Sequence, residues 1–484
     1  MRILFILKNE NFLAPIGLCV ISAVVRRAGH ETYLCEVHQD DPLDSVERLR
    51  PDVVAYSSLT GEAKHYIRIN KRIKEAFPQV FTIMGGHHPT FFPEMIRETT
   101  LDALCRGEGE GAITDLLSAL SSGKSPGEIP NIILREGPQE CAVRPLVEDL
   151  DSLPFPDYGL LYDHTPMGGY PLKSVITSRG CPYNCTYCFN RNWNALYKGC
   201  GRYVRRYSVD YVIEDIERIK NKWPLSCVKF YDDIFVYRVD GWLEEFCSAY
   251  RKRIGIPFFI LTRCDLLTED MVKLLKYAGC RTISMSIEAG NPEIRNGMLN
   301  RRMSNEQIIN AHRLCEKYGI YTFTNCIIGL PGTRFSNDLE SLDLSLECHV
   351  DWGEFLQFHP YPGTELGDQT ISMGMYTPDY ESMHTSYQFM SPLNCFSEEE
   401  KNLQRNLALL GSVAVVLPRF RNVIVKYLLR MRPHKLFTLF YFLAKQYALR
   451  RKIYTTKTSF WNSLKIFVRS LHQDMFRHTE EKGV

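Results

Sequence analysis

Residues Ser174 to Arg191 read SVITSRGCPYNCTYCFNR, and Cys181, Cys185 and Cys188 stand there in C-x3-C-x2-C spacing behind a β-type run. Thiolates ligate iron and zinc. Three from one short loop can hold three irons of a 4Fe-4S cube while the fourth iron keeps no protein ligand and stays open to chemistry. A structural zinc site normally closes with a fourth ligand at tight spacing, and the nearest cysteine downstream, Cys200, lies twelve residues on, past a helical-looking stretch. The iron reading is therefore preferred.

The elements around that loop must position it. Downstream, strand and helix alternate: CVKFYDD with helix 240–253, FFILTRC with helix 268–278, TISMSIE with helix 304–318, TFTNCIIG with helix 336–348, then GEFLQFH. With the strand ahead of the cysteines this makes six parallel strands of a partial (β/α)6 TIM-type barrel. Residues at the carboxyl ends of barrel strands point into the site. That rule nominates Asp232 and Asp233, Arg263 and Asp265, Ser286 and Glu288, Asn325, the segment Ile328 to Gly332, and Gln357 and His359. A strand-end acid is often just the N-cap of the next helix, and that is the competing role for Asp233 and Glu288.

The first 135 residues alternate five short strands with helices, including helices at 42–49, 62–76 and 92–99, which specifies a doubly wound, Rossmann-like parallel sheet. Ligands bind such sheets at the carboxyl ends of the strands. The loops there are Ser57 to Gly61, Gly85 to Thr90 and Gly107 to Glu110, and their glycines let backbone approach a large flat ligand. A Gly-, Ser- and Pro-rich stretch follows, with short strands expected at 131–135 and 143–150 as a hairpin. The chain thus divides into an α/β domain over 1–135, a linker over 136–170, the barrel over 171–365 and a helical basic C-terminal region over 366–484.

Together these motifs resemble the B12-binding (cobalamin-dependent) radical S-adenosylmethionine (SAM) enzymes over roughly residues 1–370. The resemblance implies a 4Fe-4S cluster on Cys181, Cys185 and Cys188, which reductively cleaves SAM to a 5′-deoxyadenosyl radical that takes hydrogen from an unactivated carbon. By the same likeness Tyr187 lies over the adenine side of SAM. Phe230-Tyr231-Asp232-Asp233 resembles the family's F-x-D-D, with an acid near the SAM amino group. Ser286-Ile287-Glu288-Ala289-Gly290 resembles G-I-E-S-G, with Glu288 on ribose hydroxyls, and Ile328 in Ile327-Ile328-Gly329-Leu330-Pro331-Gly332 lies where backbone meets adenine. Ser58, Thr60, Gly85, Gly86, Gly107 and Glu108 are the implied cobalamin contacts. The D-x-H-x-x-G motif is absent, which argues for cobalamin held without a histidine lower ligand. Most of the family transfers a methyl group from methylcobalamin; the anaerobic cyclases oxidise or close a ring instead. A cobalamin or iron-sulfur sensor without catalysis is the alternative from another class. No residue is nominated for proton-transfer catalysis.

Composition fits a globular protein: 484 residues, 45% hydrophobic and 12% aromatic, which excludes disordered and collagen-like classes. The net charge of +2 hides polarity, since residues 401–484 carry 17 Lys+Arg against 3 Asp+Glu. Leu428 to Lys445 interleaves apolar and basic residues, as in a helical cap on the acidic body or in peripheral contact with an anionic membrane. No groove-reading motif points to nucleic acid. The expected partners are a small-molecule or lipid-like substrate and a reductant such as flavodoxin or ferredoxin. Sixteen cysteines without a signal-peptide pattern point to a reducing, cytoplasmic setting.

Overall fold

A computed structural model of the chain describes residues 1–8, 14–127, 129–138, 140–378 and 390–454. Two compact units emerge. The first comprises Met1–Tyr183 and Phe189–Pro224, and the second Asn184–Cys188, Leu225–Pro378 and the described residues beyond 390. The first unit therefore runs past the sequence-based boundary near 135.

In the first unit, strands β1 (Arg2–Leu7), β2 (Glu31–Glu36), β3 (Val53–Ser57), β4 (Phe81–Gly85) and β5 (Ala103–Cys105) run parallel, with β6 (Ile132–Leu134) antiparallel at the edge, in the order β2-β1-β3-β4-β5-β6. Helices α1 (Ile16–Arg27), α2 (Pro42–Leu49), α3 (Ala63–Ala76), α4 (His87–Phe91) and α5 (Glu110–Ser121) connect them. Near-continuous apolar runs such as Ile3 to Ile6 fit strands covered on both faces, and separate cores built on Leu4, Ile6 and Val54 and on Ile3, Phe5 and Val53 occupy those faces. Two expectations change. The helix at 92–99 becomes the short α4 and a 3-10 turn over Pro93–Glu98, because Pro93 cannot continue an α-helical ladder. The hairpin does not form: Ile132–Leu134 pairs with β5, whose free edge satisfies its backbone, while residues 143–150 form no strand.

The strand expected ahead of the cysteines is β7 (Leu172–Val175), followed by β8 (Ser178–Arg179), which pairs antiparallel with β9 (Arg205–Arg206). Helices α6 (Tyr158–Tyr162), α7 (Phe189–Leu196) and α8 (Val209–Lys222) complete this unit.

The second unit holds a parallel half-barrel sheet of β10 (Cys227–Phe230), β11 (Phe258–Thr262), β12 (Cys280–Met285), β13 (Tyr321–Ile328) and β14 (Trp352–Gln357), each next to its sequence neighbour. Crossover helices α9 (Gly241–Ala249), α10 (Glu269–Ala278), α11 (Asn305–Lys317) and α12 (Phe335–Glu347) lie between them. Side-chain caps start three of these: Asp240 accepts from Leu243 N, Thr268 from Met271 N, and Ser304 forms a capping box with Gln307. Helix α13 (Glu365–Ser372) and the long α14 (Glu398–Val416) follow the last strand. Gly411 admits Phe355 of β14, since a Cβ there would stand 2.6 Å from its ring. The basic region described as far as Tyr454 is helical, as expected; its remainder, 455–484, lies outside the described residues.

One buried acid sets a pH dependence. Asp215 on α8 accepts a 3.1 Å bond from the Tyr158 hydroxyl, and burial pushes its carboxyl up to about 7 despite that bond and the nearby Arg218. A folded-state acid with a raised pKa stays protonated where the unfolded chain has ionised, so its contribution to stability is lost as pH rises from about 4 to about 7. Asp215→Asn is expected to melt a few degrees above wild type at pH 8, with the gap closing by pH 5; a pH-independent gap in thermal unfolding would contradict a neutral Asp215.

Candidate cluster and SAM site

The second half of the cysteine loop is anchored by backbone within its own unit. Thr186 donates from its amide to Leu299 O (3.4 Å) and from its hydroxyl to Met298 O (2.6 Å), and its own carbonyl accepts from Leu366 N (2.9 Å). Cys185 is buried between these ties, whereas Cys181 and Cys188 are partly accessible, and all three thiols are free of disulfides. The guanidinium of Arg301 lies 3.7 Å from Cys185 Sγ, 3.9 Å from Glu288 Oε1 and 3.3 Å from the Ser286 carbonyl. The Tyr187 hydroxyl donates to Glu288 Oε1 at 2.8 Å. Burial pushes the Tyr187 phenol well up, against the pull of Arg301, so it remains the donor.

Glu288 owes its place to backbone. Its φ is +65°, a left-handed conformation uncommon outside glycine, and it is held by a lone bridge to Cys326, with Glu288 N donating to Asn325 O and Ile327 N to Glu288 O. This residue therefore caps no helix. Gly290, two residues on, is required by packing, since a Cβ there would meet the Glu340 carbonyl at 2.2 Å.

Beyond Ile328, buried at the end of β13, Gly329 turns with φ +65° and donates its N–H to Asp338 Oδ1 at 3.0 Å. Burial pushes Asp338 up to about 7, against the Gly329 N–H and the Gln404 amide. Beside this turn Gln357 is buried, and neither of its amide atoms has a hydrogen-bond partner among the described residues. An uncommitted buried amide next to a glycine turn suits a base edge that would satisfy it. Asp232 is buried after β10, and Asp233 is exposed; the helix that follows is capped by Asp240, which removes the N-cap role from Asp233. Arg263 and Asp265 hold each other in a two-pronged ion pair at 2.9 Å, so they serve each other first.

Among the strand-end loops of the first unit, Ser58 is buried and bonded to Gly85 O through its amide, and Thr60 is buried. Gly86 has φ +98°, and a Cβ there would stand 2.7 Å from the Ser58 backbone, so the Ser58 and Gly85–Gly86 loops need this glycine to approach each other. Gly107 has φ +87° and faces the Tyr197 hydroxyl. Glu108 differs from its expected role. Its carboxylate accepts from Arg179 and Arg205, so its acid is committed within the protein.

Sequence spacing missed Arg301, Tyr197 and Gln404. Arg301 lies 116 residues from Cys185, in an irregular segment whose only signal is a pair of arginines after Asn300.

Among the described residues, no three His, Cys, Asp or Glu side chains are grouped tightly enough to hold a single metal ion. Residues 4–117 match the B12 binding domain, and residues 175–344 match the radical SAM superfamily. The chain belongs to the cobalamin-binding radical SAM enzymes. Its cofactors are a 4Fe-4S cluster, SAM and cobalamin, and three cysteines outside any disulfide, the buried Gln357 and the glycine-lined loops are compatible with them. A methyltransferase of Pyrococcus horikoshii, called uncharacterized, is 27% identical over 80% of this chain and 84% of its own. The anaerobic magnesium-protoporphyrin IX monomethyl ester cyclase of Rubrivivax gelatinosus is 27% identical over 81% and 73%. The solved cobalamin-dependent SAM radical enzyme OxsB, with aqua-cobalamin and SAM bound, shares the fold at TM-score 0.67 and 17% identity, covering 99% of this chain and 75% of OxsB.

If Arg301 places its positive charge against the Cys185 ligand, it favours the reduced cluster. Arg301→Gln is expected to lower the cluster midpoint potential on the order of 60 mV, one charge-assisted hydrogen bond expressed for a one-electron couple. A titration followed by electron paramagnetic resonance (EPR) checks this, and an unchanged midpoint would remove Arg301 from the cluster's surroundings.

Proposed function

We propose that this radical SAM enzyme transfers a methyl group to an unactivated carbon of a small-molecule substrate. The observation that carries the proposal is a B12 binding domain and a radical SAM domain in one chain, with the Pyrococcus methyltransferase similar along most of its length. When bound, the cluster supplies the electron that splits the SAM sulfonium, and cobalamin supplies the methyl group. The chain's own residues bind and orient: Cys181, Cys185 and Cys188 hold iron, Tyr187 fixes the Glu288 carboxylate for ribose hydroxyls, and Asp232 or Asp233 accepts from the SAM ammonium. Ser286, Ile328 and the Gly329 turn receive the nucleoside, with Gln357 available to the base. Gly85, Gly86, Gly107, Ser58 and Thr60 line the approach of the corrin. Ring closure without methyl transfer is the second reading, favoured by the Rubrivivax cyclase likeness. None of the sixteen cysteines is in a disulfide, which fits work in a reducing cytoplasm beside a flavodoxin- or ferredoxin-type reductant.

With SAM, dithionite and hydroxocobalamin, the anaerobically reconstituted protein given substrate is expected to form 5′-deoxyadenosine and S-adenosylhomocysteine together, read by mass spectrometry. Deoxyadenosine without S-adenosylhomocysteine would contradict methyl transfer and favour cyclisation.

The C-terminal region adds a surface. Its inner face caps the half-barrel: Tyr441 donates to Glu354, Lys452 pairs with Asp351 at 2.9 Å, and Arg421 pairs with Asp343. Its outer face is different. Among the described residues, nine of the fourteen exposed large apolar side chains lie between Leu417 and Tyr447, eight of them in two helix-spaced stripes, Phe420, Val423, Tyr427 and Met431, then Leu436, Phe440, Leu443 and Tyr447. No Asp or Glu occurs from 417 to 451, and Arg419, Lys426, Arg430, Arg432 and Lys435 are exposed among the stripes. Apolar stripes with only cationic neighbours fit the surface of an anionic bilayer. No helix among the described residues is long and apolar enough to cross a membrane. The full chain is expected to float with phosphatidylglycerol-containing vesicles, weakly with neutral ones, and to be released by high salt and by Phe440→Glu with Leu443→Glu. Equal flotation of that double variant would refute the surface.

A further inference from the structure

The loop after β5 is tied to the chain on both sides of the cysteines. Before them, Arg179 stands two residues ahead of Cys181. It donates to Glu108 Oε1 at 3.1 Å and pairs with Glu110 at 2.7 Å. The same Glu108 carboxylate takes two bonds from Arg205 of β9, at 2.8 and 3.0 Å, and one from Val147 N at 3.0 Å. After the cysteines, Tyr197 follows α7, and its buried hydroxyl accepts from Glu108 N at 2.8 Å and from the Asn131 amide at 3.2 Å. That hydroxyl fills the place where a Cβ on Gly107 would stand, 2.0 Å away. On α7 itself, Asn194 donates to the Cys181 carbonyl at 2.9 Å. Phe189, the residue after Cys188, stacks on Phe91 at the end of the Gly86 helix, with ring centroids 4.7 Å apart.

Both glycine loops proposed to approach cobalamin are thus in contact with residues flanking the cluster cysteines, and all of these residues lie in the first unit. These contacts leave little slack. Arg205 and Tyr197 are almost wholly buried, and against the burial that would raise it, Glu108 is held below the usual carboxylate range by Arg205 and Arg179. A backbone shift at Gly107 presses directly on the Tyr197 hydroxyl and the Asn131 amide, and through Glu108 on Arg179.

We propose that Glu108 and Tyr197 are positioning residues that couple the two cofactors: occupation of the Gly86 and Gly107 loops by cobalamin changes the setting of the cysteine loop, and with it the electronic properties of the cluster. The proposal rests on the cobalamin placement given above. It requires no chemistry from Glu108 or Tyr197 themselves, only that they carry displacement from one loop to the next.

The test uses the full chain, reconstituted anaerobically with iron and sulfide, with and without hydroxocobalamin, at a fixed reducing potential. Iron content, bound corrin and the EPR signal of the reduced cluster are read together. In wild type, bound cobalamin is expected to change the ratio of reduced to oxidised cluster on the order of threefold or more, with altered g values, the size of an ordinary coupling between sites. Tyr197→Phe, which removes one hydroxyl, is expected to keep iron and corrin while losing most of that response. Glu108→Gln should lose it too, and Glu108→Asp should restore part. Should Glu108→Gln fail to fold, Tyr197→Phe alone decides. Corrin bound by wild type with no change in the cluster signal overturns the coupling, as does a full response in Tyr197→Phe. Absence of bound corrin in wild type, with the cluster intact, instead overturns the cobalamin placement and the coupling with it.

Discussion

A cluster that must leave one iron open to SAM cannot be fastened by a fourth protein ligand. What fixes the thiols in space then has to come from the chain around them, and several polar contacts beside the cysteines do so. Thr186 spends its amide, hydroxyl and carbonyl on neighbouring backbone, Asn300 donates to the Asn184 carbonyl, and Asn194 donates to that of Cys181. Arg301 brings its guanidinium to 3.7 Å from the Cys185 sulfur. These contacts hold the loop by its backbone and by the Thr186 hydroxyl.

The same economy governs Glu288. The role proposed for its carboxylate, receiving hydroxyl groups, needs a single fixed orientation. The left-handed backbone at Glu288, its bridge to Cys326 and the donation from Tyr187 fix its orientation, with the Arg301 guanidinium 3.9 Å away. Gly290 and Gly329 then do different work within look-alike motifs. The first is excluded from carrying a side chain by the Glu340 carbonyl, the second forms a turn beside the buried amide of Gln357.

Much of this was legible in the sequence because it is local. The C-x3-C-x2-C spacing, the alternation of strands and helices, and the acids at strand ends are all patterns within a few residues of one another, and apart from the helix at 92–99 and the hairpin the expected elements form close to where those patterns put them. What the sequence hid is contact across distance. Arg301 meets Cys185 from 116 residues away, and Tyr197 reaches Glu108 from 89. Glu108 itself illustrates the limit: its place at a strand end was readable, but its direction was decided by Arg179 and Arg205, which no spacing announces. The failed hairpin has the same origin, since β5 offered Ile132–Leu134 a better edge than residues 143–150 did.

The central claim is that Cys181, Cys185 and Cys188 hold a cluster with an open iron that SAM occupies. EPR of the dithionite-reduced, reconstituted protein before and after addition of SAM tests it most directly. The account predicts about four irons per chain and a cluster signal whose g values move when SAM is added, because SAM enters the coordination of the unligated iron. A signal indifferent to saturating SAM, or zinc in place of iron, would contradict it.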